Sequence, residues 1–202
     1  ENRLEYIKNI NKIEKMPTFY KEIEGWFDFE NLYTDLLLNK LSNNSIFVEI
    51  GILKGKSLCY LAELAKEFNK NIKIFGVDIF ANELDKITEP YKVVKNQFNL
   101  YSECLSYLSN AKVLDRISII VLFSEDAAKL FTNNSIDCVF LDGSHIEDIV
   151  IKDLDCWIPK IKVGGYLCGH DYRGGLQPLI DKYFNEKLGQ KVIEIPPHSF
   201  LW

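Results

Sequence analysis

Acids and glycines recur at the ends of apolar runs in this chain, and their types and spacing are what could do chemistry. Ser45-Ile46-Phe47-Val48-Glu49-Ile50-Gly51 reads as a buried strand, and Ile52-Leu53-Lys54-Gly55-Lys56-Ser57 turns from it into a helix. Two glycines let the backbone approach a ligand closely, and a helix N-terminus presents free N–H groups beside it. Glu49 narrows the ligand, because a carboxylate repels a triphosphate and attracts a cationic group. A phosphate-binding loop needs G-x-x-x-x-G-K-[ST], and here Gly51 and Gly55-Lys56-Ser57 stand one residue too close. Four further apolar runs end in acids: at Asp78, at Glu125-Asp126, at Asp142-Gly143-Ser144-His145 and at His170-Asp171-Tyr172. Of three histidines, His145 and His170 stand beside those acids, where imidazole serves as a general base or a metal ligand. His198, in Pro196-Pro197-His198-Ser199, reads as a turn residue.

Positioning these groups requires strands that end together. The pattern predicts strands near 45–51, 72–79, 117–123, 136–142 and 165–169, alternating with helices near 55–69, 98–110, 125–131, 146–159 and 176–187. Such alternation implies an α/β, doubly wound, Rossmann-like sheet, mostly parallel, with ligands at the carboxyl ends of its strands. The near-continuous apolar runs 117–123 and 136–141 place those two strands at the sheet's centre. Lys191 to Trp202 reads as a closing antiparallel hairpin turning at Pro196-Pro197. Residues 1–44 form an N-terminal helical cap, with Leu4, Ile7, Ile10 and Ile13 and then Phe29, Leu32, Leu36 and Leu37 at helical spacing around Pro17, and residues 45–202 form the ligand-binding domain. The segment 81–100 is long for a connection and reads as a substrate lid or a dimer contact. Trp26, Phe27 and Tyr33 either line an acceptor pocket or pack as core aromatics.

Composition narrows the partners. With 202 residues and 47% hydrophobic content the chain can bury one sizeable core. Lys+Arg 24 against Asp+Glu 29 gives a net charge of −5, and the basic residues form no stripe. Nucleic acid is therefore not the expected partner, and a small molecule is. Five widely spaced cysteines without C-x-x-C suggest neither a disulfide framework nor a zinc knuckle, which fits a reducing compartment. No apolar run is long enough for a membrane span, so the expectation is a soluble, cytoplasmic protein. Aromatic residues in the cap make a homodimer reasonable.

Glu49-x-Gly51-x-x-x-Gly55-x-Ser57, Asp142-Gly143-Ser144-His145, Asp153-Leu154 with Trp157, and Gly164-Gly165 leading into His170-Asp171-Tyr172 resemble class I S-adenosylmethionine-dependent methyltransferases. The resemblance covers roughly 45–202 and is to methyltransferase family 24, which includes O-methyltransferases of macrolide sugars; Gly25-Trp26-Phe27 resembles its lead-in. It implies a cofactor site at Glu49, Gly51, Gly55, Ser57, Asp78, Glu125, Asp126 and Asp142. Asp78 would accept from the ribose hydroxyls. Either Glu125 or Asp126 would face adenine, although Asp126 also reads as a helix N-terminal acid. The acceptor hydroxyl would lose its proton by one of two routes. Asp142, His170 and Asp171 would hold Mg²⁺ or Mn²⁺, His170 standing where the family often has a carboxylate; alternatively His145, with Asp142, would serve as catalytic base. The function implied is O-methylation of a small hydroxylated acceptor, a sugar or secondary metabolite. Two other readings are a cofactor-binding protein without turnover and a P-loop-like hydrolase, while a dehydrogenase lacks its G-x-G-x-x-G.

Overall fold

The computed structural model describes residues 16–81 and 97–202. Leu4 to Ile13 and most of the 81–100 segment lie outside them. Strands β1 (Ile46–Ile50), β2 (Lys73–Val77), β3 (Ile117–Ile120), β4 (Ile136–Leu141), β5 (Ile161–Gly169), β6 (Ile193–Ile195) and β7 (Ser199–Leu201) form one sheet in the order β3-β2-β1-β4-β5-β7-β6. β1 to β5 pair in parallel, and β7 runs antiparallel to both β5 and β6. The winding reverses between β1 and β4, so the crevice of a doubly wound sheet opens at their carboxyl ends.

Residue alternation along the strands divides the core in two. Phe47, Cys138 and Phe140 pack under helices α1 (Glu30–Asp35, continuing as a π-helical turn Leu36–Lys40), α2 (Lys56–Glu67) and α3 (Gln97–Asn110). Val48, Val139 and Leu167 face α4 (Ser124–Ala128), α5 (Glu147–Trp157) and α6 (Leu176–Tyr183). In α2, Leu58, Leu61, Ala62, Leu64 and Ala65 are buried, as an amphipathic helix on a sheet requires. The lead-in to α1 is aromatic: Phe27, Phe29 and Tyr33 pack edge-on to one another, and Phe29 stacks on Phe140 with centroids 4.7 Å apart.

Two strand expectations are corrected. β3 lies at the sheet's edge, not its centre, and ends at Ile120. Val121, Leu122 and Phe123, which prolong its apolar run, are partly exposed and pass beyond the sheet, with Leu122 and Phe123 in the wall of a cavity. Their apolarity belongs to a ligand crevice instead of a helix-covered strand. β5 begins at Ile161, already paired with Ile136, before a register shift in which β4 passes from Ile136 to Cys138 while β5 passes from Ile161 to Tyr166. The Gly164-Gly165 pair sits inside that irregular stretch, where glycines let a strand bulge and continue. Among the described residues no helix is long and apolar enough to cross a membrane.

Candidate active site

The turn after β1 is built from its glycines and held by Asp78. Gly51 has φ +85°, and a Cβ there would lie 2.2 Å from the Asp142 carbonyl oxygen, so the ends of β1 and β4 touch through bare backbone. Gly55 has φ +80°, and its missing side chain makes room for Cys104 of α3. Its role is therefore packing as well as turning. Asp78, at the end of β2, accepts from the backbone N–H groups of Ile52 (2.8 Å) and Leu53 (2.9 Å) with Oδ2 and of Phe80 (2.7 Å) with Oδ1. Leu53 and Phe80 are both left-handed, at φ +46° and +54°, so the carboxylate fastens two strained residues. A carboxylate has about four acceptor positions, so three N–H groups leave room for one hydroxyl.

Glu49 lies on the α2 side of the sheet and is fully buried, with Ser57 donating to its Oε1. The Tyr33 hydroxyl faces the same carboxylate without a well-formed hydrogen bond, and Glu49 Oε2 has no partner. Burial raises the Glu49 carboxyl to about 8; Ser57 and Tyr33 oppose the rise, and Asp142 and Asp78 add to it. Ser57 lines the cleft, so Glu49 reaches a ligand through that hydroxyl. The raised value also links to stability. The folded protein retains a proton that the unfolded chain releases above pH 4.5, so Glu49's contribution is full below that pH and is lost as pH rises towards about 8. Glu49→Gln removes this titration. Its melting temperature relative to wild type is expected to climb from about pH 5 to about pH 8; a difference that stays constant across matched buffers would contradict the buried neutral carboxyl.

Two hollows meet at the glycine turn. One, of about 420 Å³, runs along the ends of β1 to β4 between Gly51, Asp78, Leu122, Phe123, Ser124 and Gly143, with Glu125 and Asp126 in its wall. That volume is within the about 300–1,000 Å³ usual for small-molecule sites. Trp157 Nε1 donates to Ser124 (2.8 Å), fixing the turn into α4. Glu125 and Asp126 are both exposed, and Asp126 is drawn into an ion pair with Lys129 at 2.7 Å. The second hollow, of about 630 Å³, shares Gly51, Asp78 and Gly143 and extends past Ser57 to Asp142, His145, His170 and Asp171.

These last four residues converge. His145 Nε2 lies 2.6 Å from Asp171 Oδ2; His170 Nδ1 lies 3.3 Å from the same oxygen and 3.5 Å from Asp142 Oδ1. Burial pushes the His170 imidazole down, but Asp142, Asp171 and Asp28 outweigh it and raise it to about 9. Burial raises Asp142 against the opposing His170. For Asp171 the upward push of burial loses to the His145 hydrogen bond and to the charges of His170, His145 and Arg173, so it sits below the usual range. One atom each from Asp142, His170 and Asp171 lie within 4.8 Å of one another. Two carboxylate oxygens and one imidazole nitrogen are a donor set suited to Mn²⁺ or Fe²⁺ and compatible with Mg²⁺.

The expected residues thus gather on one crevice, with Glu49 behind Ser57 and Gly55 turned towards α3. His198 and Arg173 also line the wider hollow, although the Pro-Pro context of His198 reads only as a turn. Of the three aromatics weighed for an acceptor pocket, Phe27 and Tyr33 are core, and Trp26 is 90% exposed on the hollow's wall. Asp28, on the same lead-in, has no sequence motif to mark it. Lys56 Nζ donates to the Gly25 carbonyl at 3.0 Å and Lys54 pairs with Glu24 at 2.7 Å. Both therefore fasten the lead-in to the glycine turn.

A search of curated proteins finds no match. Among solved structures, the fold is similar to that of the O-methyltransferase NovP, at TM-score 0.66 and 16% identity over 87% of this chain and 77% of that one. Cofactor-bound Rv0187 from MTB gives 0.64 and 15%, over 100% and 88%. CalS11, a TDP-rhamnose 3'-O-methyltransferase of calicheamicin biosynthesis, gives 0.58 and 15%, over 86% and 76%. The sequence of residues 48–172, from β1 through the acids after β5, matches the methyltransferase domain of family 24. With that match spanning more than half of the sequence and the strand order and crevice in accord with it, the chain belongs to methyltransferase family 24, a branch of the class I S-adenosylmethionine-dependent methyltransferases.

Proposed function

We propose that this protein transfers the methyl group of S-adenosylmethionine to a hydroxyl of a small acceptor, a sugar or secondary metabolite, with the help of a divalent cation. The observation that carries this reading is the meeting of Asp142, His145, His170 and Asp171 on the rim of the crevice that Gly51 and Asp78 also line. When bound, the cofactor supplies an electrophilic methyl, and a cation at Asp142, His170 and Asp171 would lower the pKa of an acceptor hydroxyl.

The chain's own residues position and deprotonate. Gly51 and Gly143 bring bare backbone to the ligand. The remaining acceptor position of Asp78 suits a ribose hydroxyl, Leu122 and Phe123 offer apolar cover to a base, and exposed Glu125 is better placed than paired Asp126 to accept from its amine. Ser57, with Glu49 behind it, faces the methionine end. Asp171, kept ionised, orients His145 and would stabilise the imidazolium formed when that ring takes the acceptor's proton. Holding the acceptor in line with the sulfonium supplies much of the acceleration. Five free cysteines support a reducing, cytoplasmic setting.

The test is transfer of labelled methyl to a panel of hydroxylated acceptors, with EDTA and then Mn²⁺ or Mg²⁺ added back. The expected result is O-methylation that EDTA lowers about 100-fold or more and the metal restores. Turnover indifferent to EDTA would remove the cation from the account. Tight cofactor binding with no turnover on any acceptor would favour a protein that binds without catalysis.

A further inference from the structure

We propose that Asp28, on the lead-in to α1, is a positioning residue that turns His170 so that Nδ1 is the nitrogen offered to a divalent cation. The inference rests on the cation reading of the Asp142, His170 and Asp171 cluster above. The two nitrogens of His170 are in different situations. Nε2 lies 2.9 Å from Asp28 Oδ1, within hydrogen-bond range. Nδ1 lies 3.3 Å from Asp171 and 3.5 Å from Asp142, longer than the about 2.7–3.2 Å of a good N–H···O bond, and points between two carboxylates. With Nε2–H given to Asp28, Nδ1 is the nitrogen left to exchange its proton for a cation, the arrangement in which a ligating histidine is oriented by a carboxylate behind it.

Asp28 is not needed to anchor its own segment. Phe27 and Phe29 on either side are buried, Lys56 holds the Gly25 carbonyl and Lys54 holds Glu24. Phe29 also places its ring 5.0 Å from the His170 ring. Consecutive residues therefore meet the imidazole, Phe29 through a tilted ring contact and Asp28 at Nε2, while the Asp28 side chain itself remains 43% exposed. Its removal is expected to free the ring without unfolding the lead-in.

The experiment is a Mn²⁺ titration of the protein followed by electron paramagnetic resonance, with S-adenosylhomocysteine affinity and melting temperature measured in parallel. Asp28→Ala is expected to weaken Mn²⁺ binding about 10–100-fold, with the other two readouts unchanged. Asp28→Asn, whose amide oxygen still accepts from Nε2–H, is expected to recover most of the loss. Wild-type protein that binds Mn²⁺, loses it in His170→Ala, and keeps it in Asp28→Ala would overturn the role of Asp28 alone. Wild-type protein that binds no Mn²⁺ would overturn the cation reading and this inference with it.

Discussion

Gly51→Val is expected to abolish cofactor binding and to lower the melting temperature by about 10 °C. The reason is geometric. A Cβ at this position would sit 2.2 Å from the Asp142 carbonyl oxygen and 2.5 Å from Gly143 Cα, both backbone atoms of the β4 end that cannot rotate away. Overpacking costs about 1–3 kcal/mol, and a side chain at φ +85° adds about 1–2 kcal/mol. A total near 4 kcal/mol corresponds to about 10 °C in a chain of this size. Binding should fall further than stability, because the only relief is to push β1 and β4 apart at the crevice. Gly51→Ala should already show most of the effect, since the conflict begins at Cβ. Thermal unfolding and titration with S-adenosylhomocysteine check this; an alanine variant that melts and binds like wild type would contradict it.

Asp78→Ala is expected to weaken S-adenosylhomocysteine by about 100-fold or more. Its carboxylate joins the end of β2 to Ile52 and Leu53 of the glycine turn and to Phe80. Hydrogen bonds to a charged group contribute about 1.5–3 kcal/mol each, and two of these three hold residues with positive φ. Without the acid, Leu53 and Phe80 can relax to ordinary conformations, and the turn loses the shape that frames the cavity. The ribose contact is lost as well. Asp78→Asn keeps one acceptor oxygen and should fall between. Lys56→Ala is the contrast: its Nζ reaches the Gly25 carbonyl, so binding should change by no more than about threefold, well under the tenfold that 1.4 kcal/mol makes. Calorimetry on the three variants decides, and equal behaviour of Asp78→Ala and Lys56→Ala would contradict the assigned roles.

Legibility in the sequence followed the range of the interactions. Strands, helices and the acids at strand ends were readable because apolar periodicity and the E-x-G-x-x-x-G turn are local patterns. β4 reads as central and is. β3 reads as central and is an edge strand, because an apolar run that covers a ligand looks like one covered by helices. Glu49 beside two glycines reads as a ligand contact; burial behind Ser57 comes from the packing of α2 on β1 and Tyr33 above them. Asp28 could not be read at all. Its partner His170 is 142 positions away, and only the docking of the lead-in onto Phe140 brings the two together. The one local sign is alternation, with Phe27 and Phe29 turned inward and an acid outward between them.

The central claim is that the crevice holds S-adenosylmethionine, and the most direct test is calorimetric titration of S-adenosylhomocysteine, then of ATP, into the purified protein. Micromolar binding of the first and none of the second is expected, because the Asp78 carboxylate stands at the glycine turn and Lys56 is committed to Gly25. Binding of ATP with Mg²⁺ and none of S-adenosylhomocysteine would contradict it.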